Sequence, residues 1–319
     1  MFNKPYSMTL RHGEIAMRKA PLLTKEGWRC FANWVVLFLA ISLFSHITFA
    51  QNQPSSDWPG TEARLTLQLS GDTEQKRSAL FEIRNLQIEK ASRLAIPALK
   101  DSNEIVRATA ASSVIFLPKT DAVNALTALL TDKAEFVRRE TAYALGNVGI
   151  PEAAPSLLNL LQKEKLLEVR TAVVTALGQC GNLAAVEPLV KILKRSPKED
   201  EEFLRRSAAR SIGQIGQIVR TSNSRVLTPQ NFLPEKYKDA ETNTNPAFRP
   251  STFIAVLTVL TQVLQNKKES DDTRREAAYS LGAIGDRSSV SVLQANRNSP
   301  DPYLAEICKE ALLKIERSK

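Results

Sequence analysis

The 319-residue sequence predicts an all-α stack of helical hairpins, on three observations. A short pattern recurs along the chain at a nearly fixed interval. Apolar residues within each copy fall at spacings near 3.6. Most copies end in a glycine pair. The repeat region has no run of alternating β-branched residues bounded by turns that would favour strands. With 43% hydrophobic and 24% charged residues the chain can bury a sizeable core, and its 12 glycines and 16 prolines exclude a collagen-like or mostly disordered chain.

The first element is a leader. Residues 1–30 are polar and basic, and residues 31–50 (FANWVVLFLAISLFSHITFA) contain no Lys, Arg, Asp or Glu. A basic block, an apolar run and the small residues Thr48 and Ala50 fit a secretory signal cleaved after Ala50, with an uncleaved anchor as the rival. Either reading places the remainder outside the cytoplasm, periplasmic or secreted, with the basic residues inside. Residues 51–73 read as a linker and N-terminal segment.

The repeats follow. VRATAASSV (106–114), VRRETAYALGNVG (137–149), VRTAVVTALGQCG (169–181), LRRSAARSIGQIG (204–216) and TRREAAYSLGAIG (273–285) are variants of one pattern. Arginine takes the second place each time, at Arg107, Arg138, Arg170, Arg205 and Arg274, in steps of 31, 32, 35 and 69 residues; the last step is about double and marks an insertion. A weaker copy begins near Lys76–Arg77 and a degenerate one covers 304–315. Ala142, Ala144, Ala208, Ala209, Ala277 and Ala278 keep the middle of this helix thin, so that neighbours can approach closely.

Four copies end in G-x-x-G, at Gly146/Gly149, Gly178/Gly181, Gly213/Gly216 and Gly282/Gly285. The second glycine suits a left-handed cap and the first suits tight packing. A second apolar helix comes next in each unit, for example 121–130, 152–162, 183–194 and 251–265, with Pro155 and Pro188 in its first turns.

This unit resembles the short-period HEAT-like repeat of the phycobilin-lyase type, VRxxAxxALGxIGxxxAxxxLxxLLxD, over about residues 74–317. The resemblance implies an armadillo-like α-solenoid, a right-handed superhelix of six to seven units. Scaffolds, lyases and DNA glycosylase relatives share such repeats, so the fold leaves function open.

Six residues before four of the arginines stands an acid: Asp101 before Arg107, Asp132 before Arg138, Glu164 before Arg170 and Glu199 before Arg205. The resemblance implies that these pairs form a structural ladder between stacked turns, with Arg274 as a further member although Lys268 takes the place six before it. Cys180 and Cys308 align with buried positions and read as small core residues.

The insertion, 217–250, has no helical period, four prolines (Pro229, Pro234, Pro246 and Pro250) and the aromatics Phe232, Tyr237 and Phe248. Insertions in repeat arrays fall on one face, often the binding face, which makes Phe232 and Tyr237 candidate partner contacts.

Function is bounded mainly by exclusion. The two histidines, His12 and His46, both precede residue 51, so the exported part holds none for Ser–His, Cys–His or His-bearing zinc chemistry. The formal charge of +9 includes +4 from the first fifty residues, leaving +5 (37 basic against 32 acidic), a small surplus that favours no polyanion partner. The expectation is therefore a non-enzymatic scaffold outside the cytoplasm, without catalytic residue, metal or cofactor, binding a protein or peptide. Its concave surface would be lined by the second helices, through residues such as Asn159, Lys191, Lys194 and Gln262. The alternatives are a nucleic-acid-binding HEAT-like protein, for which Lys191, Lys194, Arg195 and Lys198 form a local basic cluster followed at once by the acidic run from Glu199, and a bilin-lyase-like enzyme.

Overall fold

A computed structural model describes residues 57–222, 232–234, 245 and 253–317. The leader with His12, His46 and Cys30, and Tyr237 of the insertion, lie outside the described residues. The chain divides into a unit ending at Ser56 and a unit from Asp57 onward, and the second is the one described below.

Fourteen α-helices and short 3₁₀ turns, with no strand, make up the described residues. Helix α1 (Trp58–Leu69) opens the described residues and packs on the helix that follows it. One layer of helices comes from the arginine-bearing pattern: α2 (Thr73–Leu86), α4 (Glu104–Ser113), α6 (Glu135–Val148), α8 (Leu167–Cys180), α10 (Glu202–Thr221), α12 (Asp271–Ile284) and α14 (Pro302–Glu316). The other layer is α3 (Glu89–Ala95), α5 (Lys119–Thr127), α7 (Ala154–Lys163), α9 (Val186–Leu193), α11 (Ile254–Gln265) and α13 (Val290–Asn296). None of these helices is long and apolar enough to cross a membrane.

The linker expected over 51–73 is interrupted by α1. Asp57 accepts from the Gly60 N–H at 3.1 Å, Pro59 sits in the first turn, and Leu65 is buried. Asp72 and Gln75 then form a capping box that starts α2.

Arginine-bearing helices pack on one another along their lengths, whereas helices of the other layer scarcely meet. Small residues allow this. A Cβ added at Gly282 would lie 2.5 Å from Ala311 Cα, and one at Gly146 would lie 2.9 Å from Ala176 Cα. The layer whose helices sit closer together lies inside the curve of a solenoid. The concave surface therefore belongs to the first helix of each unit, which corrects the expectation that the second helices line it.

Gly149, Gly181 and Gly285 adopt φ of 64°, 68° and 78° as left-handed caps. Gly216 does not: α10 runs on for five residues to Thr221, and Ser222 takes the left-handed position at φ 58°. Gly216 instead lets Ile284 approach, with its Cγ1 3.0 Å from where a Cβ would stand.

A column of buried serines was not singled out from the sequence. Ser113, Ser211 and Ser280 occupy the same place in α4, α10 and α12, and each donates to a backbone carbonyl of the preceding inner helix: Leu80 at 2.9 Å, Val174 at 2.9 Å and Ala209 at 2.6 Å. Ala144 and Ala176 stand at the equivalent places in α6 and α8. The signal was present as small residues, but only the stacking reveals that a hydroxyl there reaches the neighbouring backbone.

Candidate functional site

The ladder runs between units, not within them. Arg107 Nε and Nη2 donate to Asp132 at 2.7 and 2.8 Å, and Arg138 Nε donates to Glu164 at 2.8 Å. Lys76 extends the series to Asp101 at 2.7 Å, and buried Arg205 pairs with buried Glu269 across the insertion. Within a unit the arginine takes main-chain oxygens: Arg107 Nη1 donates to the carbonyl groups of Asp101 (2.9 Å) and Ser102 (3.0 Å). A guanidinium thereby ties its own turn to the next repeat.

Burial raises the Asp132 and Glu164 carboxyls less than their partners lower them. At Asp132 the Arg107 hydrogen bond is the largest effect and holds the group below the usual carboxylate range. At Glu164 burial is the largest single effect, outweighed by Arg138 and the N–H groups of Leu166 and Lys165 together.

Three expected members depart from the ladder. Glu199 is exposed and bonded to no ladder arginine, Arg170 has no ion pair, and Arg274 pairs only with Asp271 at 3.2 Å while donating to the Leu264 carbonyl at 3.0 Å. Asp301 goes to the neighbouring Arg275 instead, at 2.7 and 3.0 Å.

Of the candidate partner contacts, Asn159, Lys191, Lys194 and Gln262 are exposed on α7, on α9 and its C-cap, and on α11. These helices form the outer layer, so the four residues do not line the concave face. Phe232 does reach the inner layer: its ring packs edge-on against Tyr303 of α14, with centroids 5.3 Å apart at 72°.

The inner face of α10, α12 and α14 carries the densest polar chemistry. Arg210 Nη1 donates to both carboxylate oxygens of Glu276, at 2.9 and 3.0 Å. Arg206 pairs with Asp272 at 2.8 Å, and Arg275 bridges Asp272 and Asp301 while lying 5.2 Å from the Tyr303 ring. Tyr279 lies between the Arg210 guanidinium (5.7 Å) and the Lys314 ammonium (5.6 Å), and its hydroxyl donates to Gln217 Oε1 at 3.2 Å.

Glu276 differs from the ladder acids. Burial pushes its carboxyl above the usual range, and the attraction of Arg210, itself a third exposed, does not compensate; Asp272 adds a like charge. Buried with Tyr279 beside the Arg210 guanidinium, this carboxyl keeps its proton to higher pH than the ladder acids do.

Cys180 and Cys308 are free and buried, and desolvation pushes both thiols up to about 12, so neither is a ready nucleophile. Among the described residues no group of three or more His, Cys, Asp or Glu is placed to hold a metal ion.

The described repeats match known families. HEAT repeats are matched over residues 63–146, 92–172 and 134–213, and a PBS lyase HEAT-like repeat over residues 273–298. The chain is 28% identical over 273 residues to deoxyhypusine hydroxylase-B of Oryza sativa subsp. japonica, covering 75% of this chain and 87% of the relative. It is 30% identical over 190 residues to the bilin biosynthesis protein PecE of Mastigocladus laminosus, covering 57% of this chain and 65% of the relative. Among solved structures, the complex of CpcE and CpcF of phycocyanin lyase from Nostoc sp. PCC7120 is similar at 21% identity and a TM-score of 0.46, covering 84% of this chain and 93% of that one. The chain thus carries HEAT repeats, including one of the PBS lyase type. Relatives named as a hydroxylase and a bilin biosynthesis protein overturn the expectation of a non-enzymatic scaffold.

Proposed function

We propose that the protein is an enzyme of the bilin-lyase type, which holds an open-chain tetrapyrrole on the inner face of its solenoid. The observation that carries the reading is a coincidence of position. The segment matched as a PBS lyase HEAT-like repeat, 273–298, takes in most of α12 with Glu276 and Tyr279, and Glu276 is the one inner-layer carboxyl named above whose proton is held above the usual range.

A bilin combines a flat conjugated body with two propionate carboxylates. Arg206, Arg210 and Arg275 offer cations to the carboxylates, and Tyr303 with Phe232 offers an aromatic surface for the pyrrole plane. Addition or elimination at a bilin double bond moves a proton, and Glu276 would give or take it. The macromolecule that accepts or supplies the bilin is a protein partner in this reading, with Phe232 as a candidate contact. Export by the segment 31–50 belongs to the same proposal and rests on the sequence alone; N-terminal sequencing of the protein from its native source tests it, with Gln51 expected as the first residue after cleavage.

The test is addition of phycocyanobilin to the purified protein, followed by absorbance. Binding should shift and sharpen the long-wavelength band, and Arg210→Gln should weaken it about tenfold. An unchanged bilin spectrum at saturating protein would overturn the reading.

A further inference from the structure

One break in the ladder lies between the units of α8 and α10, beside a cavity of about 490 Å³ between α7 and α9. Its cations are Lys165, Arg170, Lys191 and Arg195. Its one carboxylate, Glu164, is already committed to Arg138 and to the N–H groups of Lys165 and Leu166, the latter two at 2.9 and 3.0 Å.

Arg170 is the arginine of its unit, yet its Nε is buried without a hydrogen-bond partner. The cause lies in chain length. The step from Arg170 to Arg205 is 35 residues, not 31 or 32. In the regular units the main-chain oxygens that an arginine takes begin with the rung acid: Asp101 for Arg107, Asp132 for Arg138 (3.0 Å). Arg205 instead takes the carbonyl groups of Ile192 (3.0 Å), Leu193 (3.2 Å) and Arg195 (2.8 Å), none of them an acid. The longer turn carries Glu199, six residues before Arg205, away into solvent, and Arg195 lines the same cavity as Arg170.

Arg170 thus shares the cavity with a like charge in place of a partner acid, and the remaining acids nearby do little. Glu187 pairs with Lys191 on the exposed side at 3.0 Å, and Glu201 lies 4.0 Å from Arg195. Besides Gln162, the rest of the lining is apolar: Leu158, Leu161, Pro188 and Ile192. Its volume is that of a small-molecule site.

We infer that this cavity binds a small carboxylate with an apolar body, whose carboxylate completes the rung at Arg170 while its hydrocarbon part lies on Leu158, Leu161 and Ile192. The site is on the outer layer, away from Glu276, and is independent of the bilin reading. A carboxylate fits because every intact rung pairs its cation with one, and Arg170 has the same origin in its helix as Arg107 and Arg138.

The test is calorimetric titration of the full-length protein with suberate at fixed ionic strength, with octane-1,8-diol and inorganic phosphate as comparison ligands. Suberate should bind at one site, more tightly than either comparison ligand. Arg170→Gln should weaken it at least tenfold and Lys165→Gln severalfold, while Lys194→Gln, outside the cavity, leaves it unchanged. Absence of suberate binding, equal binding of suberate by both cavity variants and the parent, or phosphate or the diol bound as tightly as suberate would each overturn the assignment. Lys165 is exposed, so its variant keeps the test decisive even if Arg170→Gln alters folding.

Discussion

At the scale of single residues, charge pairing decides most of the chemistry. Arg107 is 7% exposed and bidentate to Asp132. Arg107→Ala would leave a partly buried carboxylate without its partner, and urea unfolding should show a loss of about 3 kcal/mol. Arg170→Ala should cost far less in the same measurement, because no ion pair is lost. Acid titration separates the carboxyls. Asp132, Glu164 and Asp301 are held below the usual range, so their contribution is fully present above the unfolded carboxylate pKa of about 4 and is lost as pH falls through their lower folded values. Asp132→Asn should therefore flatten the acid limb of the stability–pH curve. Glu276 works with the opposite sign: its raised folded pKa favours the protonated form, so it contributes most below the unfolded value and loses that contribution as pH rises through the folded one. The residue types of the ladder were legible from a six-residue spacing. Their partners were not, since the spacing within a unit places Asp132 near Arg138 in sequence, while the stacking delivers it to Arg107.

At the scale of elements, the sequence reported helix positions well, because a 3.6 period, glycine pairs and proline placement all act locally. It failed where the outcome depends on what packs against an element. Both layers have apolar faces, and only the closer spacing of the arginine-bearing helices shows that they are the inner ones. The end of α10 is another instance, since Gly216 is used for the approach of Ile284 and not for a cap. Gly282→Ala should be costly, by about 1–3 kcal/mol, because the new Cβ would lie 2.4 Å from that of Ala311 and the contacted atoms are backbone and a short side chain. Gly149→Ala should cost about 1–2 kcal/mol for a different reason, its φ of 64°. Thermal unfolding of the two variants checks both, and a neutral Gly282→Ala would contradict the tight inner layer.

At the scale of the repeat unit as a whole, the array departs from its own pattern at two places, and each has a distinct consequence. The longer turn after α9 opens the Arg170 cavity on the outer layer. The insertion after α10 brings Phe232 onto Tyr303 of the inner layer, beside the arginines, acids and tyrosines that α10, α12 and α14 bring together. The period predicted the stack and the doubled step predicted the insertion, but the concave chemistry was missed because Arg210, Glu276 and Tyr279 look like ordinary repeat residues in the sequence. Their meaning comes from three helices meeting, with Arg210 and Glu276 66 residues apart along the chain. Hydroxyl-radical footprinting with and without phycocyanobilin addresses this most directly. The account predicts reduced oxidation of Tyr303 and Phe232 on the inner face, with Leu183 and Ile254 of the outer layer unchanged; protection of the outer residues, with Tyr303 and Phe232 as reactive as before, would contradict it.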